Sequence, residues 1–145
     1  MSVIELVQKS VDEWNRKDKK AFLENFTEDS KIVGPDGTIV HGLSGVEKFW
    51  ELWQGAFADN KGTIKDIFGA GDRAYAQLTI EATHTGALPL ANGRQIPATG
   101  RHTCLPVIQV HTIHHNKFMV SRISFDRFDL FTQLGLMPVT RSDSH

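Results

Sequence analysis

The sequence predicts an α+β fold, and two observations carry that prediction. Apolar residues recur at helical spacing up to Phe57, whereas period-two strand patterns run almost unbroken from Gly62 onward. Because the helical and strand segments do not alternate, a mostly antiparallel sheet with its helices gathered on one side is expected, rather than βαβ units. Such a sheet can curl around an apolar cavity.

Val3, Leu6, Val7, Ser10, Val11 and Trp14 mark one face of a first helix, with Glu5, Gln8, Lys9, Asp12 and Glu13 between them. Asp18 can cap a short second helix over 19–26, in which Ala21, Phe22 and Phe26 share a side. In "KIVGPDGTIVHG", Pro35-Asp36-Gly37 lies between β-branched runs and signals a brief hairpin. Ser44 and Glu47 have capping-box spacing and open a third helix, marked by Val46, Phe49, Trp50, Trp53 and Phe57. An aromatic stripe of this kind packs on a sheet, and Trp50 or Trp53 can also wall a ligand cavity. The strands then follow as "TIKDIFG", "RAYAQLTIEATHTG", "TGRHTCLPVIQVHTIH" and "KFMVSRISF", joined by a "GAGD" turn, the loop "ALPLANGRQIPA" and a His115-Asn116 turn. A last helix is expected from Arg127.

The 145 residues read as one domain, 1–145, with a core over about 3–138 and a tail over 139–145. With 40% apolar residues, 23% charged residues and a net charge of −1, neither disorder nor a polyanion-binding surface is indicated, so no nucleic-acid partner is expected. Cys104 is the only cysteine, which rules out an internal disulfide and fits a reducing compartment; its neighbours in a strand make it a buried small hydrophobe. Charges interrupt the N-terminal segment, and no apolar run approaches the ~18 residues of a membrane span. A soluble, cytoplasmic protein with no membrane partner is expected.

A two-residue turn at His115-Asn116 pairs His114 with Lys117, which puts His111 opposite Val120, Gln109 opposite Arg122 and Leu105 opposite Asp126. Alternation then gathers Leu105, Val107, Gln109, His111, Val120, Arg122, Ser124 and Asp126 on one face. That mixture suits a solvated face or a pocket wall, and Pro106 signals an edge or a bulge nearby. His111 and His114 fall on opposite faces, so no metal site is expected.

The order of "THTG" (83–86), "ATGR" (98–101), an "NK" hairpin at Asn116-Lys117 and "FDRFDLFTQLGL" (125–136) resembles the SnoaL-like polyketide cyclases, within the nuclear-transport-factor-two-like superfamily. The resemblance runs from about Val3 to Pro138. It implies a cone-shaped α+β barrel, a curved sheet wrapped by three helices around an apolar cavity, and a homodimer packed through the sheet. It covers cofactor-independent cyclases, isomerases, some hydroxylases and members without an assigned reaction.

In the cyclases, an aspartate ending the last long strand, shortly before a "QLG", is the general acid/base of an intramolecular aldol closure. The matching residue here is Asp126; Asp129 does not match. On that reading Asp126 takes a proton alpha to a carbonyl and Asp126 or His111 returns one to the new oxygen. His84, Arg101 and Arg122 can hold a carbonyl or carboxylate, and Trp50 and Trp53 complete the substrate wall. The expected function is a cofactor-independent cyclase or isomerase acting on a hydrophobic, carbonyl-rich natural-product intermediate, such as a polyketide or terpenoid. A non-catalytic small-ligand-binding dimer and a hydrolase or hydratase stand as alternatives. Structural roles compete residue by residue: Asp126 as a helix N-cap with Asp129 in the first turn, His84 fixing its hairpin loop, Arg101 in a rim salt bridge.

Overall fold

The computed structural model describes residues 1–136. Residues 137–145, with the expected tail, lie outside the described residues. The elements run α1 (Val3–Asn15), α2 (Lys19–Leu23), β1 (Phe26–Val33), β2 (Ile39–His41), α3 (Gly42–Ala56), β3 (Lys61–Ala70), β4 (Arg73–Thr83), β5 (Leu88–Pro89), β6 (Gln95–Ile96), β7 (His102–His114), β8 (Lys117–Ser124) and α4 (Arg127–Gln133). The large sheet has six strands in the order β2-β1-β8-β7-β4-β3, and β5 pairs with β6 in a separate small hairpin. Adjacent strands are antiparallel except β1 and β8, which run parallel. Among the described residues β2 and β3 are the edge strands and the curved sheet stays open, so the architecture is α+β without a closed barrel.

Local chemistry accounts for the element ends. Ser2 and Glu5 form a reciprocal capping box at α1 that the sequence pattern did not single out. The expected box at Ser44 and Glu47 does not form, because α3 already begins at Gly42 behind His41. Glu28, from β1, supplies the missing acceptor to Leu43 N at 3.2 Å, while Glu47 pairs with Lys19 at 2.6 Å. The second helix stops at Leu23, and Phe26 opens β1 instead of ending the helix. Asn25 at that junction is buried, and its amide donates to the buried Glu13 carboxylate at 2.7 Å. Gly86, in "THTG", sits where a Cβ would lie 2.1 Å from the Gly55 carbonyl oxygen. Its N–H and that of Thr85 both donate to Ala56 O, closing the C-terminal end of α3, and only glycine permits that approach.

The β7–β8 hairpin starts as expected, with His114 opposite Lys117, and then departs from the expected register. Met119 is inserted as a bulge, so Thr112 faces Val120, His111 faces Ser121 and Gln109 faces Ile123. The parallel neighbour β1 is irregular at the same level, between Phe26 and Lys31. Buried Ser30 ties the two irregularities together: its hydroxyl donates to Phe118 O at 2.6 Å and accepts from Thr27 N at 2.8 Å. Cys104 is a further correction, since it is exposed while its neighbours Thr103 and Leu105 point inward.

Two apolar clusters fill the space between sheet and helices. One gathers Leu6, Val7, Phe22, Trp50 and Phe118; the other Phe57, Leu105, Leu130 and Leu134. α4 seals the second cluster. The Gln133 side chain accepts from Cys104 N at 2.7 Å and donates to Cys104 O at 2.9 Å, acting as a strand partner for β7. Among the described residues no helix is long and apolar enough to cross a membrane.

Candidate functional site

Between these clusters lies a cavity of about 130 Å³, walled by the inner faces of β4, β7 and β8 and by α1, α3 and α4. Alternation along β7 aims Thr103, Leu105, Val107, Gln109 and His111 into it. After the bulge, β8 contributes Ser121, Ile123 and Phe125. Trp53 and Phe57 stand on the helical side, their rings stacked at 6.1 Å, and Trp53 meets Phe125 edge-on at 5.8 Å. Leu130 of α4 closes one end.

His111 is the polar centre of this wall. Its Nδ1 is 2.8 Å from Ser121 Oγ and its Nε2 is 3.1 Å from Gln109 Oε1. The ring packs on Phe118 with 4.4 Å between centroids. Burial pushes its pKa down to about 4, so it is neutral at pH 7. With Gln109 Oε1 as acceptor, Nε2 carries the hydrogen and Nδ1 accepts from the Ser121 hydroxyl.

The other expected site residues scatter. Asp126 is exposed and outside the lining; its Oδ1 accepts from Asp129 N at 3.2 Å as the N-cap of α4. Arg122 is exposed on the outer face of the sheet, opposite Val110, because the bulge reverses its side. Arg101 is exposed and lies against Gly135, where a Cβ would stand 2.8 Å from its guanidinium carbon. Trp50 is buried against Trp14 and Phe22, with centroids at 5.0 and 5.1 Å, and does not reach the lining. Of the expected set only His111 and Trp53 share the cavity.

His84 is fully buried behind Phe57, outside the lining. Its Nδ1 accepts from Thr99 N at 3.2 Å and meets Thr99 Oγ1 at 3.0 Å, which pins the loop that precedes β7. Among the described residues its buried Nε2 has no hydrogen-bond partner, and the nearby Gly86 carbonyl compensates only in part for the burial that lowers the ring's pKa.

Sequence reasoning missed Ser121, which alternation without the bulge assigns to the opposite face. Gln109 was placed beside His111 but given no site role. Among the described residues no group of three His, Cys, Asp or Glu side chains is arranged to hold a metal.

A model of the SnoaL-like domain matches residues 7–120. No curated protein matches. Among solved structures, a proposed SnoaL-like polyketide cyclase from Jannaschia sp. CCS1 superimposes with a TM-score of 0.81 at 18% identity, over 95% of this chain and 98% of that one. TsrD from Streptomyces laurentii gives 0.76 at 22% identity, over 92% and 94%. An epoxide hydrolase from M. tuberculosis gives 0.69 at 15% identity, over 90% and 87%. At these identities the likeness is one of fold, while the domain match spans most of the chain: the protein belongs to the SnoaL-like domain family.

Proposed function

We propose that the protein is a cofactor-independent cyclase or isomerase that moves protons on a hydrophobic carbonyl compound, with His111 as the acid/base. One observation carries this reading: among the described residues His111 is the only ionisable side chain in the cavity lining. Burial keeps its imidazole unprotonated, so Nδ1 offers a lone pair inside an apolar chamber. A C–H bond alpha to a carbonyl breaks, its proton goes to Nδ1 in place of the Ser121 hydrogen bond, and the electron pair stays on the enolate. In a cyclase the enolate carbon then bonds to a second carbonyl carbon and the proton returns to the new alkoxide; in an isomerase it returns to another carbon. The enolate next to the imidazolium offsets the burial that disfavours the charged ring.

This assigns to His111 the proton transfer that the family pattern gives to Asp126, and leaves Asp126 to cap α4. The outer face of the sheet supports the homodimer expected of the family. Phe68 and Ile108 are 58% and 41% exposed there, and Phe68 lies against Tyr75 with centroids at 5.0 Å. A binding-only role is the second reading, favoured by the hydrogen bonds that occupy both nitrogens of His111.

The test follows deuterium uptake at C2 of ethyl 2-methylacetoacetate, whose single hydrogen between the two carbonyls exchanges slowly and without handedness in buffer. The wild type is expected to accelerate exchange of one enantiomer, and His111→Asn to lower that rate by about 100-fold, the scale of a lost general base. Exchange that stays racemic and unaccelerated leaves the binding-only reading.

A further inference from the structure

We infer that the cavity takes an uncharged ligand about one ring in size that carries a carbonyl oxygen, and that Gln109 is the residue that reads this oxygen. The inference rests on the reading of this cavity as the functional site, and it specifies the ligand. Three properties of the lining lead to it.

The first is an accounting of hydrogen-bonding groups. Ser10 Oγ donates to Val7 O, and Thr103 Oγ1 donates to Ala82 O. Asn60 is committed on both sides: its Oδ1 accepts from the Trp14 indole, and its amide donates to Gln54 Oε1 and Phe57 O. His111 has both nitrogens occupied. Among the described residues the Gln109 amide nitrogen has no partner, although the side chain stands between Val107 and His111 on the inner face of the sheet. Turning the amide over does not remove the surplus. Nε2–H of Gln109 would then donate to His111 Nε2, the other amide hydrogen would remain free, and Ser121, receiving Nδ1–H, would release its own hydroxyl hydrogen. In either arrangement the wall has a donor to spare, and a carbonyl oxygen is the matching group. The Trp53 indole N–H also has no partner among the described residues, but it belongs to the ring stack beside Phe57 and not to the polar cluster.

The second property is charge. Among the described residues no Asp, Glu, Lys or Arg lines the cavity, and His111 is held neutral. A carboxylate or phosphate inside would lose its hydration with no counter-charge, which excludes it strongly. The third is size. At about 130 Å³ the cavity resembles apolar cavities of ~150 Å³ that admit benzene. A fused multi-ring skeleton would have to displace α4 or the Trp53 stack.

Isothermal titration with a small set of aromatic probes tests all three. Acetophenone is expected to bind the wild type about tenfold more tightly than ethylbenzene, which lacks the oxygen, as one hydrogen bond to a confined donor requires. Benzoate and the three-ring ketone anthrone are expected to bind at least tenfold more weakly than acetophenone. Gln109→Met should erase the preference for acetophenone over ethylbenzene, with Gln109→Leu as a second variant, whereas Trp53→Phe should retain it. The Gln109 side-chain amide resonances of the wild type should also shift on adding acetophenone, a readout that needs no variant. Benzoate or anthrone binding as tightly as acetophenone, no binding of acetophenone, or a preference that survives both Gln109 variants would overturn the inference. The outcome is independent of turnover: a protein that binds acetophenone through Gln109 yet accelerates no alpha exchange defeats the catalytic proposal alone.

Discussion

At the scale of single residues, burial decides what His111 and Asp126 can do. The imidazole is legible in the sequence as a cavity candidate, because alternation along β7 places it with Leu105 and Val107. Its hydrogen-bond partner Ser121 is not, because that contact depends on the bulge. Burial lowers the His111 pKa to about 4, against about 6.5 in an unfolded chain. Above pH 6.5 both states hold the ring neutral; as pH falls toward 4 the unfolded chain takes up the proton first, so stability is lost across that interval. The loss amounts to about 3 kcal/mol, and urea midpoints between pH 7 and pH 4 should fall accordingly, with a smaller fall in His111→Asn. His84 is shifted in the same direction by burial and adds to the trend. Asp126 presents the opposite case. Asp126→Ala should cost about 1 kcal/mol as a lost cap, while Asp126→Asn, an equally good cap, should leave both stability and alpha exchange unchanged. An Asp126→Asn protein that folds but fails to exchange would return the chemistry to the carboxylate.

At the scale of elements, the sequence made the helices and long strands legible because their periodicities are local. The ends were harder to read. The Ser44 and Glu47 spacing looks like a cap, yet α3 starts three residues earlier, with His41 at the N-cap position, and Glu28, distant in sequence, reaches its first turn. The inner face of β8 is a non-local outcome as well, for Ser30 on β1 holds the bulge from the neighbouring strand. Ser30→Ala removes a buried hydroxyl that bonds Phe118 O and Thr27 N and is expected to destabilise by about 1–3 kcal/mol. The same variant should broaden the His111 and Ser121 resonances. Unchanged denaturation and sharp signals would mean that the bulge holds without Ser30.

For the whole molecule, the open six-stranded sheet has two faces of different character. The inner one closes over the neutral chamber, and the outer one carries the row Phe68, Tyr75 and Val110 across β3, β4 and β7. The α+β class follows from the order of helical and strand patterns. Its curvature and its cavity do not, because both come from how bulged strands pack against helices far away in sequence. If the outer face is the dimer surface, Ile108→Lys should convert a dimer to a monomer in sedimentation while leaving acetophenone binding intact. A wild type that sediments as a monomer rejects that interface.

The inserted Met119 also bears on how such a chamber changes over generations. Deleting Met119 removes the bulge but leaves Thr112 opposite Val120 and His111 opposite Ser121, so the inner wall is unchanged. Flattening β8 with every residue kept in the ladder instead slips the pairing by one and trades Ser121, Ile123 and Phe125 for Val120, Arg122 and Ser124. One slip of register thus separates an uncharged compartment from one with a guanidinium inside. Relatives of the same fold can therefore exchange neutral for anionic ligands by losing or gaining this bulge, with no substitution at any wall position.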